Sequence, residues 1–285
     1  MPKKKIYFGY GSNLNEADWD STGKYLPWSE ALTILEPAFL LDYVPVYHYY
    51  SNGRKGGALD VYPHIGGVVE GMLFIPTNEG WNDVDKKEGS PNFYIQTQVE
   101  VQTKSREILS ALTYTVIPSK QKKEFIAPTK KYAELVEAGM MDLGLNPTSQ
   151  NAAAKNEQYA GICEHIFVYG TLRQGHGREN LMITGRKKPP IKGKIRGDLV
   201  DLGEYPGLRD GDGVVVGELH SYDDVTSVLN RLDQIEGFHK HNSQKNLFER
   251  ILCDVETTDG SVQAWTYRWT DSTGYIINSG DWNQR

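Results

Sequence analysis

One short stretch is written twice along this chain. Tyr7-Phe8-Gly9-Tyr10-Gly11-Ser12-Asn13-Leu14 returns near the middle as Ile166-Phe167-Val168-Tyr169-Gly170-Thr171-Leu172-Arg173. Each copy is an apolar strand, then Tyr-Gly-(Ser/Thr), then a polar turn. A β-branched and aromatic run closing on Gly-(Ser/Thr) reads as a strand that turns sharply at its end. The glycine relaxes the backbone and leaves consecutive N–H groups bare, a nest that suits a carboxylate or phosphate. Further features repeat in the same order. Gly57-Ala58-Leu59-Asp60-Val61-Tyr62-Pro63, Val68-Val69-Glu70-Gly71, Val84-Asp85-Lys86-Lys87-Glu88-Gly89 and a strand from Tyr94 follow the first copy. Tyr205-Pro206-Gly207-Leu208, Val215-Val216-Gly217-Glu218-Leu219, Leu232-Asp233-Gln234-Ile235-Glu236-Gly237 and a strand from Phe248 follow the second. Tyr10 and Tyr169 stand 159 residues apart, Gly71 and Gly217 146, Glu88 and Glu236 148. Four motifs kept in order mark a tandem duplication of one domain.

With 285 residues, each half is long enough to bury its own core. The net charge of −6 offers no basic face to a polyanion, so nucleic acid is not an expected partner. Lys3, Lys4 and Lys5 read as a solvated start to the first strand. Cys163 and Cys253 are far apart with no CxxC, which indicates neither a disulfide framework nor a zinc site, and free thiols suit a reducing cytoplasm. No apolar signal core and no run of about 18 apolar residues occurs, so no membrane association is expected. His239 and His241 are the one close histidine pair, set in a polar loop, and no metal is expected there.

Taken in order, the chain predicts strands over 5–10, 39–50, 57–62, 68–75, 94–101 and 112–117, with short helices over 16–19 and 81–87. The second helix delivers Glu88 just before Gly89, a usual helix stop. In the strand over 94–101, Tyr94, Gln96, Gln98 and Glu100 alternate with Ile95, Thr97, Val99 and Val101, the pattern of a half-buried strand. Residues 128–139 predict a helix with Tyr132, Leu135, Val136 and Gly139 on one face. Residues 146–160 are small, polar and aperiodic, and read as a linker. Beyond it, Asp223 or Asp224 caps a helix carrying Val225, Val228, Leu229 and Leu232, which ends beside Glu236. Strands over 251–255 and 262–269 close the second sheet. The expected class is α+β: two tandem domains, 1–148 and 162–285 about a linker of 149–161, each a curled, mostly antiparallel sheet with flanking helices.

The ordered set resembles a known family. YFGYGSNL, GGALDVYP, VVEG, VDKKEG, the tyrosine strand and the PTKKYAELVEAG helix resemble γ-glutamylcyclotransferases. FVYGTLR, EYPGL, VVGELH, LDQIEGF, the FER strand and the terminal AWTYRW…SGDW look like the short, AIG2-like branch that includes γ-glutamylamine cyclotransferases. The two resemblances cover all but the linker. They imply a β-barrel with flanking helices, no metal or cofactor, and cleavage of a small-molecule γ-glutamyl amide to 5-oxoproline and a free amine. They also imply that the YGSN-type loop holds the γ-glutamyl group and that the Glu before Gly is the acid/base. Carried over, the substrate loop is Tyr10, Gly11, Ser12, Asn13 and Leu14 with Tyr94 nearby, and Tyr169, Gly170, Thr171 and Leu172 in the second copy. The acid/base residues are Glu88 and Glu236.

That chemistry suits the residues. The α-amine of a γ-glutamyl amide is its own nucleophile, and closing a five-membered ring in a held geometry supplies an effective molarity of roughly 10⁵ M or more. One carboxylate with a pKa raised by burial can take the ammonium proton and return one to the leaving amine. The bland alternatives are a helix-end carboxylate bound to nearby backbone, for either glutamate alone, and core packing for Tyr10 and Tyr169. The copies also differ: Phe248 stands for Tyr94, Arg250 for Gln96, and Arg173 follows the second loop. A non-catalytic binder of γ-glutamyl compounds would share these motifs, and only an enzyme would release 5-oxoproline. An amide hydrolase using Ser12 or Thr171 lacks a paired histidine, since His176 has no counterpart in the first copy. The leaving amine and oligomeric state are not encoded in these motifs.

Overall fold

The computed structural model describes residues 5–240 and 246–285, in two compact units, Met1–Ile162 and Cys163–Arg285. Lys3, Lys4 and His241 lie outside the described residues. The first unit is a closed five-stranded barrel in the order β1-β3-β2-β4-β5. Its strands are β1 (Tyr7–Gly9), β2 (Leu32–Ser51), β3 (Gly56–Pro76), β4 (Tyr94–Thr103) and β5 (Ile108–Val116). All neighbours run antiparallel except β1 and β5, which meet in parallel at Tyr7↔Leu112 and so shut the barrel.

The segments expected as two strands, over 57–62 and 68–75, form one bent strand, β3. The bend has a local cause. Asp42 on β2 takes φ 60° and Gly66 takes φ 88°, the Asp42 carboxylate accepts the Gly66 N–H at 3.0 Å, and the β2–β3 register slips between Leu41 and Tyr43. In β4 the expected alternation holds at Val99 and Val101, which are buried. At the strand's start it is Tyr94, not Ile95, that points inward, because the Tyr94 hydroxyl donates to Leu59 O at 2.9 Å inside the barrel.

Helices α1 (Glu16–Asp20), α2 (Trp28–Ala31), α3 (Asn78–Glu88), α4 (Lys130–Asp142) and α5 (Thr148–Ala154) complete the unit. Tyr132, Val136 and Gly139 form the buried face of α4, as the sequence pattern requires. The segment read as a linker is instead part of this unit. Its helix α5 buries Gln150 and Ala153, Gln150 Nε2 donates to Glu70 O at 3.0 Å, and Asn151 Nδ2 donates to Glu137 Oε1 at 2.7 Å. Val68 N–H then reaches Gly161 O at 2.7 Å and Gly67 bridges Ile162. Small polar residues hide this role: Ala and Gln carry little hydrophobic signal, yet Ala favours helix and a buried amide is satisfied by a backbone carbonyl.

The second unit repeats the plan with β6 (His165–Val168), α6 (Asn180–Ile183), β7 (Ile191–Asp201), β8 (Pro206–Ser221), α7 (Val225–Glu236), β9 (Phe248–Thr257), β10 (Gly260–Trp269) and β11 (Tyr275–Ile276). The sheet order is β11-β7-β8-β6-β10-β9, closed by a β7–β9 pairing. Here too the first strand meets a late one in parallel, at Ile166↔Trp265. Asp224 is the N-cap of α7, its side chain accepting the Ser227 N–H. Valines and leucines at positions 225, 228, 229 and 232 are buried, matching the periodicity.

Candidate active site

Two devices place the glutamates, and both recur. The first is the helix stop. Glu88 and Glu236 are the last residues of α3 and α7, and the glycines that follow adopt left-handed φ of 63° and 65°, a conformation glycine takes without strain. The second is a clamp one turn earlier. Tyr114 on β5 donates its hydroxyl to Asp85 Oδ1 at 2.7 Å, and Tyr267 on β10 donates to Asp233 Oδ1 at 2.7 Å. Gln96 Nε2 also donates to Asp85 at 3.0 Å, and Arg250 Nε lies 3.2 Å from Asp233. Positions three apart share a helix face, so anchoring the aspartate orients the glutamate. Asp85 and Asp233 were legible as part of the repeat, at the same 148-residue offset.

The tyrosines of the Tyr-Gly loops spend their hydroxyls on the barrel. Tyr10 donates to Tyr114 O at 2.6 Å and Tyr169 to Tyr267 O at 2.7 Å. This pins each loop to the strand that carries the clamp.

In the first unit a cavity of about 310 Å³ is lined by Ser12, Asn13, Arg54, Glu88, Tyr94 and Tyr132, among others. Asn13 Nδ2 donates to Glu88 Oε1 at 2.7 Å and to Tyr7 Oη at 2.9 Å, while its buried amide oxygen meets no donor among the described residues. Burial is the largest cause that pushes the Glu88 carboxyl up to about 7, against the pull of Lys87 and the Asn13 hydrogen bond. Arg54 and Lys87 both bind Asp18, at 2.7 Å. Burial opposes ionisation of that carboxyl, but the hydrogen bonds from Arg54 and Lys87 hold it down at about 2. Arg54 further lies over the Tyr132 ring.

The structure distributes the carried-over residues unequally around this cavity. Ser12, Asn13 and Tyr94 line this cavity; Tyr10, Gly11 and Leu14 do not. Leu14 is packed in the core and the Tyr10 hydroxyl is committed to Tyr114 O, so both support the loop from behind. Arg54, Lys87 and Tyr132 also line the cavity and were not among the site residues carried over; they come from the β2–β3 hairpin tip, the last turn of α3 and the distant α4.

The second cavity, about 230 Å³, is lined by all four expected loop residues, Tyr169, Gly170, Thr171 and Leu172, and by Glu236. Its remaining walls include Arg178, Tyr205, Phe248, Thr266 and Tyr267. Leu172 stands where Asn13 does, and Glu236 accepts no hydrogen bond among the described residues. Burial is again the largest cause raising its carboxyl to about 7, with Arg178 pulling the other way. Arg178 and Thr266 were not foreseen from the sequence.

Similarity to known proteins follows the same division. The model of the family described as "Gamma-glutamyl cyclotransferase, AIG2-like" matches residues 166–284, and that of the "AIG2-like family" matches residues 68–147. A Niallia circulans protein named γ-L-glutamyl-butirosin B γ-glutamyl cyclotransferase is 35% identical over 124 residues, covering 42% of this chain and 76% of its own. The chain belongs to the γ-glutamylcyclotransferase family. A putative γ-glutamylcyclotransferase of Vibrio cholerae is 32% identical over 120 residues, covering 42% of this chain and 96% of its own. Among solved structures, a γ-glutamyl cyclotransferase aligns with TM-score 0.44 and 21% identity over 54% of this chain and 88% of its own. YkqA from Bacillus subtilis aligns over 95% of this chain and 85% of its own, with TM-score 0.34 and 16% identity.

Proposed function

We propose that this member of the γ-glutamylcyclotransferase family cleaves γ-glutamyl amides by cyclisation, in two cavities that use Glu88 and Glu236. The observation that carries the reading is the matched pair of carboxyls raised to about 7, each at a helix end beside its own Tyr-Gly-(Ser/Thr) loop. A general acid/base works best with a pKa near the operating pH.

In the step proposed, the glutamate takes a proton from the substrate α-ammonium. The freed amine nitrogen attacks the γ-carbonyl carbon, forming the ring C–N bond. As the tetrahedral intermediate collapses, the original amide C–N bond breaks and the glutamate returns its proton to the leaving nitrogen. The second proton shed by the ring nitrogen passes through the same carboxylate to the released amine, which departs as an ammonium. The products are 5-oxoproline and a free amine, with no net change at the carboxyl. In the first cavity the Asn13 amide oxygen, which meets no donor among the described residues, would accept from the ammonium.

The test is 5-oxoproline release from γ-glutamyl-alanine, γ-glutamyl-lysine and glutathione. Gln is nearly isosteric but cannot shuttle a proton, so Glu88→Gln and Glu236→Gln should each lower their cavity's rate roughly 10²–10⁴-fold. The double variant should retain almost nothing. A folded double variant with full activity would remove the acid/base assignment.

A further inference from the structure

Thr113 and Thr266 occupy one position in the duplicated barrel. β1 meets β5 at Tyr7↔Leu112 and β6 meets β10 at Ile166↔Trp265, so the next residues on the late strands, the two threonines, are equivalent. Both are fully buried. Thr113 Oγ1 donates to Phe8 O at 2.8 Å. Thr266 Oγ1 has no hydrogen-bond partner among the described residues, and Thr266 is part of the wall of the second cavity. A buried hydroxyl left unpaired costs stability, and whatever completes the bond recovers it. The Glu236 carboxyl, which accepts no hydrogen bond among the described residues, lines the same cavity.

Resting on the reading of this cavity as a γ-glutamyl site, we infer that the Thr266 hydroxyl is a substrate-positioning group, donating to an oxygen of the bound γ-glutamyl moiety. The ligand then completes the bond that Phe8 completes for Thr113. The duplication has separated two uses of one side chain. In the first unit the hydroxyl ties two strands together, and in the second it is held for the ligand. The same cavity is lined by Tyr205, Pro206 and Phe248, which offer apolar contact, and by Arg178 and Thr171, which offer further polar contact.

Thr→Val keeps the shape and removes the hydroxyl, and Thr113 serves as the internal control. Turnover at the second cavity is read in a Glu88→Gln background with γ-glutamyl-alanine and γ-glutamyl-lysine. Thr266→Val should raise KM about threefold to tenfold, the worth of one hydrogen bond, with kcat within about twofold, since a ground-state contact is lost. Thr266→Ser should restore KM. Thr266→Val should leave the unfolding midpoint unchanged or raise it, whereas Thr113→Val should lower it. An unchanged KM overturns the assignment, as does a loss of stability in Thr266→Val matching that of Thr113→Val. A fall in kcat alone overturns it too, because that would place the contact only in the transition state. If the Glu88→Gln chain makes no 5-oxoproline, the acid/base reading of Glu236 has failed separately. Calorimetric titration of the Glu88→Gln, Glu236→Gln chain with γ-glutamyl-alanine then decides the Thr266 contact: supported if Thr266→Val weakens one binding event by the same factor, overturned if it does not.

Discussion

Asn13 and Leu172 hold the same place in the two loops, and the difference bears directly on the glutamates. Asn13 donates to Glu88 at 2.7 Å, favouring its charged form; Leu172 can donate nothing to Glu236. Asn13→Leu should therefore move the Glu88 carboxyl further up. The acid limb of kcat/KM at the first cavity, measured in a Glu236→Gln background, should shift to higher pH; an unmoved limb would contradict the role given to Asn13. The same burial has a stability consequence. A carboxyl raised from 4.5 to about 7 on folding binds its proton more tightly in the native state. Its stabilising contribution is complete below about 4.5 and is lost as pH rises through 7. At pH 8 the native state buries an ionised group, so Glu88→Gln and Glu236→Gln should each stabilise their unit by on the order of 2–3 kcal/mol. At pH 4 the gain should vanish. Chemical denaturation at the two pH values checks this, and a gain equal at both would refute it.

At the scale of elements, each barrel carries a glycine where the first strand crosses the third. A Cβ on Gly71 would sit 2.4 Å from Gly9 O and 2.6 Å from Phe8 Cζ; one on Gly217 would sit 2.3 Å from Val168 O and 2.5 Å from Phe167 Cζ. A backbone oxygen cannot swing aside, so relief requires the short strand leading to the Tyr-Gly loop to shift. Gly71→Ala and Gly217→Ala should each cost their own unit about 1–3 kcal/mol and lower activity only at the adjacent cavity. Urea unfolding paired with the single-cavity assays measures both, and a stable variant with full activity would show the contact to be slack.

For the whole molecule, the place to divide the chain follows from α5 and the Gly67–Ile162 bridge. Residues 1–162 and 163–285 should each unfold cooperatively when expressed alone. A piece ending at 148 should be less stable than 1–162, because it loses the buried Ala153, the Gln150–Glu70 hydrogen bond and the Val68–Gly161 contact. Thermal unfolding of the three pieces checks this. Equal midpoints for 1–148 and 1–162 would return the segment to the role of a spacer.

The amino-acid sequence by itself determined the duplication, the α+β class, the two Glu-Gly helix ends and the Tyr-Gly loops. All of these are local: strand periodicity, a glycine helix stop and a sharp turn act over a few residues, and a second copy makes each recognisable. Tertiary structure decided which loop residues face a cavity. Tyr10 and Leu14 pack into the core while Ser12 and the buried Asn13 line the cavity, since that depends on what the opposing strand offers, in this case Tyr114 O. It also decided that residues 148–162 pack on the first barrel, an outcome set by the surface they meet rather than by their own hydrophobicity. Closure of the barrels brought Tyr114 to Asp85 and Tyr267 to Asp233, and left the Thr266 hydroxyl in a cavity wall. Pairings across 29 and 34 residues of chain depend on strand register, and no short stretch of sequence records it.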